Sequence, residues 1–378
     1  LTDTAAAATV RVPFGSLDAD YRARRREIDA AIDRVLSRGR FIADIEVESF
    51  ERELAAYLGL PHVVACASGT DAIAIALAAA GAEPDDEVLL PANACVPVIA
   101  GVRLAGARPR LADVDRATLT MSRADAERAR GSRVRFLLPV HLYGGLADVE
   151  GLPALARERG LVLVEDCAQS LGASAGRSRA GSFGRAAAFS FYPTKNLGAY
   201  GDAGAIATAD EGVAARARRL RQYGWSRRDY SEIEGRNSRM DELQAAILRA
   251  KLPSLESDND RRRDIARRYD EAFRDLPVTL LAARPGTNHA PHLYAVRTRR
   301  RDQLRGHLTA RGIETAIHYP LPLHLQPAYA FLGARRGDFP VSEEASETVL
   351  SLPLYPTLSD DQIGAVVSAV GEFFGERR

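Results

Sequence analysis

The sequence predicts an α/β protein: a layered domain followed by a smaller α+β domain. Two observations carry this. Short β-rich runs alternate with helical stretches through the first two-thirds of the chain, the order of α/β layers. Those runs are apolar throughout rather than alternating, as strands covered on both faces are. A length of 378 residues is enough for a large core and for two or three domains.

Taken in order, LTDTAAAATVRV reads as a frayed tail, with 1–15 outside the folded body. It lacks the basic segment and apolar core of a secretory signal. HVVAC at 62–66 is a strand, and an alanine-rich helix runs from Thr70 to about Ala80. Further strands are expected at 87–90, 134–140 and 161–165, the last preceded by a helix over 153–159. The runs 186–191 and 204–208 read as a hairpin-like pair around the loop 192–203. Helices are expected over 211–223 and 240–252, the second interrupted by Pro253 and resuming to about Phe273. A strand at 292–298, a helix at 301–311, the proline-rich HYPLPLHLQPAY and a last helix at 360–374 complete the chain. The large domain is thus read as 16–253 and the small one as 254–378.

Composition excludes several function classes. The formal net charge is +1, so no global field draws in nucleic acid or an acidic membrane. The arginine clusters 24–26, 261–263 and 299–301 are short, and two of them lie among acids in helical stretches, which reads as solvated face. The longest apolar run, 73–82, is too short to span a bilayer. Three cysteines, Cys66, Cys95 and Cys167, show no metal-ligand spacing, and an odd count argues against a disulfide framework. Buried thiols in a reducing cytosol fit, so a soluble, cytoplasmic protein is expected.

The chain holds only two lysines, Lys195 and Lys251, among 51 basic residues. A guanidinium stays protonated, whereas a lysine amine can lose its proton and condense with a carbonyl. Lys195 sits in FSFYPTKNLGAYGDAG, a glycine-rich loop that follows a strand. Lys251 lies near a helix end before Pro253, where a cation suits the dipole, and reads as structural. Ser68-Gly69-Thr70-Asp71 follows a strand and opens a helix; phosphate binding and plain helix capping both fit. Asp166 ends an apolar strand, where a carboxylate needs a cation, such as a protonated pyridine nitrogen, or caps the next helix. Ser190 ends the strand before Lys195. Phosphate cradle, carboxylate, hydroxyl and amine, in that order, form the set that pyridoxal phosphate needs.

These segments resemble the sugar-nucleotide aminotransferases of the DegT/StrS type. The marks are SGTDA at 68–72, PVHLYG at 139–144, EDCAQS at 165–170, FSFYPTKNLGAYGDAGA at 189–205, RNSRMDELQAA at 236–246, HYPLPLHLQPAY at 318–329 and SLPLYP at 351–356. The resemblance implies a fold-type-I enzyme with a mixed, mostly parallel sheet covered by helices. It implies that Lys195 condenses with the cofactor aldehyde and shuttles the proton. It further implies that Asp166 pairs with the pyridine nitrogen, that Gln169 lies near the ring hydroxyl, and that Gly69, Thr70 and Ser190 hold the phosphate. Asn237 would reach the phosphate of a neighbouring subunit in a homodimer. His318 and Tyr319 would face the sugar, with Tyr192 and Tyr223 as further candidates; a packed proline-rich turn is the other reading of His318-Tyr319.

The implied reaction moves an amino group from L-glutamate to a nucleotide-linked keto sugar. The loop after Lys195 is more like members acting at C-3 of a dTDP-3-keto-deoxyhexose than those acting at C-4. A pyridoxamine-dependent deoxygenase, which by the same resemblance lacks the lysine, and a cofactor-binding regulator or scaffold are the competing readings. Three positions depart from the family pattern: Cys95 where an aromatic often stacks on the ring, Asp44 in place of a glycine, and Arg236 in place of a tyrosine.

Overall fold

A computed structural model describes residues 10–375. Its centre is a seven-stranded sheet. In spatial order the strands are His62–Cys66, Gly204–Thr208, Ala186–Ser190, Val162–Asp166, Val134–Leu137, Glu87–Pro91 and Arg108–Ala112. Gly204–Thr208 runs antiparallel to both of its neighbours, and the other pairings are parallel. The expected hairpin around 192–203 therefore forms.

The apolar strands are buried on both faces because alternate side chains point opposite ways. Ala186 and Ala188 join Val64, Leu90, Phe136 and Val164 in the core on one face. Ala187 and Phe189 join Val63, Ala65 and Ala205 on the other. Helices Gly69–Ala79, Val96–Leu104 and Glu211–Leu220 contribute to the first core, and Ile45–Leu58 and Glu242–Lys251 to the second. In the second, Phe50 meets Phe191 edge-on, with ring centroids 5.2 Å apart.

A separate core gathers around the antiparallel strands Thr279–Leu280, Tyr294–Arg297 and Val349–Leu352, with helices Leu255–Phe273, Arg301–Ala310 and Asp360–Gly375. Val12 belongs to this core: it is buried, its N–H donates to the Gly312 carbonyl at 2.9 Å, and it bridges to Ile313. The expected tail lies outside the described residues up to position 9; from Val10 onward the chain runs along the C-terminal part of the molecule.

Several elements differ from the sequence reading. Helices Leu17–Ala23, Arg25–Arg38 and Ile45–Leu58 precede the first strand, where the sequence reading set no element bounds. The 134–140 run is a strand only to Leu137, since Pro139 has no N–H for the ladder. The helix from Glu211 stops at Leu220; Gln222 bridges to Asn237 and Tyr223 takes a left-handed φ of 57°. Arg262, in the middle of the 261–263 cluster, is buried rather than solvated.

Candidate active site

The carboxyl ends of three strands converge. Cys66 and Ser190 both pair with Gly204. A Cβ on Gly204 would stand 2.3 Å from the Ser68 carbonyl oxygen, so a glycine is needed where this strand passes the loop. A Cβ on Gly69 would meet Ser190 Cβ at 2.6 Å and its Oγ at 2.9 Å. Gly69 therefore lets the helix start come down onto Ser190. Ser68 caps the helix, its hydroxyl accepting from the Asp71 N–H at 3.1 Å. Capping thus holds, yet it uses only one of the first-turn donors. The Gly69 and Thr70 N–H groups meet no acceptor among the described residues.

Asp166 is 2% exposed at the end of its strand. Its Oδ1 accepts one hydrogen bond, from the Ala168 N–H at 3.0 Å. Burial raises its pKa, against the Ala168 N–H and the nearby Lys195 and His141 charges. It is a buried acid with no paired cation among the described residues.

Lys195 lies on the loop after Ser190, its N–H donating to the Tyr192 carbonyl at 2.8 Å. Among the described residues its Nζ has no carboxylate within 4.0 Å, while Lys251 Nζ stands 2.8 Å from Asp20. Burial lowers the Lys195 pKa, opposed by Cys95 and Asp166. Neutral amine is therefore favoured beyond what a surface lysine allows.

The remaining candidates form a web beside it. Gln169 accepts from the Tyr143 N–H at 2.8 Å and donates from Nε2 to the Tyr319 hydroxyl, also at 2.8 Å. The Tyr143 hydroxyl donates to the His318 carbonyl. His318 Nδ1 meets Ser351 Oγ at 2.9 Å, and its ring stacks on Phe14 with centroids 5.8 Å apart. His318 and Tyr192 line the same cavity as Lys195, of about 330 Å³, and Tyr192 is 52% exposed.

Two candidates lie elsewhere within one chain. Tyr223 packs against Trp225, and Asn237 is exposed with its Oδ1 accepting from Arg239 Nε at 2.9 Å. Neither lines the Lys195 cavity, nor do Gly69, Thr70, Asp166, Gln169, Ser190 and Tyr319, but these six are linked to its surroundings by the contacts above, whereas Tyr223 and Asn237 are not. Sequence reasoning missed Phe14, Asp20, Lys251, Arg262, His292 and Tyr355, which do line it.

A half-buried amine with no counter-ion, backed by an acid in want of a cation, is what a pyridoxal-phosphate enzyme requires. Comparison places the chain more narrowly. Residues 22–371 match the DegT/DnrJ/EryC1/StrS aminotransferase family, and the chain belongs to it. It is 46% identical over 369 residues to a dTDP-3-amino-3,4,6-trideoxy-alpha-D-glucose transaminase from Streptomyces venezuelae, covering 97% of each chain. The crystal structure of S. venezuelae DesV superposes with a TM-score of 0.95 at 45% identity, covering 98% of this chain and 100% of that one. NtdA from Bacillus subtilis, solved with bound cofactor PMP, gives 0.91 at 30% identity, covering 98% and 87%. The protein is thus a sugar aminotransferase, and its cofactor is pyridoxal phosphate.

The residues present fit that cofactor: two free helix N–H groups and a serine hydroxyl for the phosphate, Asp166 for a protonated ring nitrogen, Lys195 for the aldehyde. The family departures have local explanations. Cys95 lies close enough to Asp166, Lys195 and Tyr319 to feel each of them, and burial pushes its thiol up to about 11. Asp44 precedes the helix Ile45–Leu58, and its N–H donates to Glu242 Oε1 at 2.8 Å. Arg236 donates to the Leu104 carbonyl at 2.8 Å and stands 3.7 Å from Asp71. It ties two helices whose ends flank the phosphate cradle.

Proposed function

We propose that the protein transfers the amino group of L-glutamate to C-3 of a dTDP-linked 3-keto-deoxyhexose. The observation that carries transamination is the unpaired, half-buried Lys195 amine near Asp166. The C-3 preference rests on the likeness to the S. venezuelae transaminase. When bound, pyridoxal phosphate supplies a carbonyl that takes up amines and a ring that withdraws electrons from the adjacent carbon.

The chain's own residues do the rest. The Gly69 and Thr70 N–H groups and the Ser190 hydroxyl anchor the phosphate at the positive end of a helix. Asp166 keeps a ring nitrogen charged, and that charge offsets the cost of burying its carboxylate. Gln169, fixed at both ends by Tyr143 and Tyr319, orients the ring hydroxyl. Lys195, whose pKa burial lowers, takes the substrate Cα proton at Nζ and returns it at the neighbouring carbon. The same amine runs the reverse transfer on the keto sugar, so the kinetics are ping-pong. His318, Tyr319 and Tyr192 contact the sugar. Asn237 and Tyr223, outside the cavity of their own chain, serve the site of a second copy in a homodimer.

The test is a half-reaction. The enzyme is converted to its amino form with glutamate, freed of excess, and mixed with a dTDP-3-keto or a dTDP-4-keto sugar. Return of the original cofactor absorbance with the 3-keto sugar alone is expected. Return with the 4-keto sugar alone moves the chemistry to C-4.

A further inference from the structure

Among the described residues two arginines are buried, Arg262 at 6% exposure and Arg297 at 5%. Arg297 meets Glu344 at 2.8 Å. Arg262 has no carboxylate within 4.0 Å; its Nη1 donates to the Leu354 carbonyl at 2.9 Å and its Nε has no partner. A buried guanidinium without a counter-anion is costly. Burial pushes its pKa down to about 10, and the more distant Asp258 and Asp20 oppose the shift. Those two acids are already engaged: Asp20 pairs with Lys251 and Arg24, and Asp258 with Arg24. Two cations face two anions there, which leaves the Arg262 charge in excess.

Arg262 lines the same cavity as Lys195. So do His292 and Tyr355, 6% and 7% exposed, whose Nδ1 and hydroxyl also lack partners. Three buried polar groups with free atoms in one cavity call for a polar ligand. We propose that Arg262, with His292 and Tyr355, binds the distal carboxylate of a dicarboxylic amino donor. This rests on the transaminase reading above. Arg262, His292 and Tyr355 share one cavity of about 330 Å³ with Lys195, so a single donor can present its amine to Lys195 and a second acid to the guanidinium. The subsite selects glutamate over amino acids of like shape that lack the second acid.

The experiment uses the holoenzyme and the donor half-reaction alone, comparing L-glutamate with L-norvaline, which ends in a methyl group. In Arg262→Gln the half-saturating glutamate concentration rises at least tenfold and the norvaline reaction changes less than twofold. An unchanged preference for glutamate, or a loss confined to the keto-sugar half-reaction, overturns the subsite. Tyr355→Phe, a milder change, lowers the preference at least threefold; a wild-type value overturns the subsite even if Arg262→Gln does not fold. Glutarate, which has no amine to react, provides a binding readout by calorimetry. Wild type binds it at least tenfold more tightly than Arg262→Gln, and equal binding overturns the proposal. No sugar is present in any arm, so an error in the acceptor leaves these results intact. An enzyme inert toward every amino acid sinks the transaminase reading instead, and glutarate still reports on Arg262.

Discussion

Lys251 Nζ donates to the carbonyl of Gly198 at 2.8 Å, so the second lysine of the chain holds the loop that carries the first. It also pairs with Asp20 at 2.8 Å, on a helix 231 positions earlier by the difference 251 − 20, and lies 5.3 Å from the centre of the Tyr200 ring. The sequence reading of a dipole partner at a helix end understated this role: the ammonium is buried and joins three segments around the Lys195 loop.

Lys251→Met is therefore expected to destabilise the fold by about 3 kcal/mol, because it leaves Asp20 short of one partner in a partly buried site. Asp20→Asn combined with Lys251→Met recovers part of that loss, since coupled partners are not additive. Urea midpoints of the two single variants and the double variant measure it. Strict additivity would show that the pair contributes nothing to holding the loop.

Lys195→Ala is expected to stay folded but to lose the covalent hold on the cofactor. Borohydride reduction fixes cofactor to the wild-type chain and leaves none on the variant. The donor half-reaction slows by about 10²–10⁴-fold, the range for removing a positioned acid–base group. Reductive labelling that persists in the variant would put the reactive amine elsewhere, and Lys251 is the other lysine to examine.

Gly69→Ala tests the phosphate cradle from the opposite side. The new methyl would sit 2.6 Å from Ser190 Cβ, a distance that real side chains do not tolerate. The helix start must then lift away from Ser190. Cofactor affinity is expected to fall at least tenfold, measured by dialysis and fluorescence titration, with a smaller effect on the thermal midpoint of the apoprotein. Unchanged affinity would separate Gly69 from the phosphate site.

What the sequence made legible is what lies on one local segment. Asp166, Ser190 and Lys195 each sit at or just past a strand end, and Ser68-Gly69-Thr70 at a strand-to-helix turn, so residue type and position singled them out while the family resemblance supplied their roles. The donor-side groups come from three separate places: Arg262 on the helix Leu255–Phe273, His292 before a strand, and Tyr355 after one. Only packing brings them together. Arg262 did leave a trace. The buried positions Leu255, Asn259, Arg262, Ile265, Tyr269 and Phe273 follow the helical period, so the stripe passes through the middle arginine of the triplet. Charge clustering masked a residue that periodicity marks as inward.

His318 carries a pH prediction. Burial, reinforced by the nearby Lys195 charge, lowers its pKa from 6.5 to about 4. The charged imidazolium is thus disfavoured in the folded chain, and between these two values the unfolded chain binds more protons. Stability is complete above about 6.5 and is lost as pH falls toward 4. Allowing for partial exposure, the loss from this one group is about 2 kcal/mol. His289 and His292 are lowered by burial too, so they act in the same direction. His318→Asn is expected to make the acid limb shallower without flattening it. Urea titrations of apoprotein at pH values from 7 down to 4.5 measure the slope for wild type and variant. Identical slopes would mean that His318 is solvated and titrates normally, which its stacking on Phe14 and its bond to Ser351 argue against.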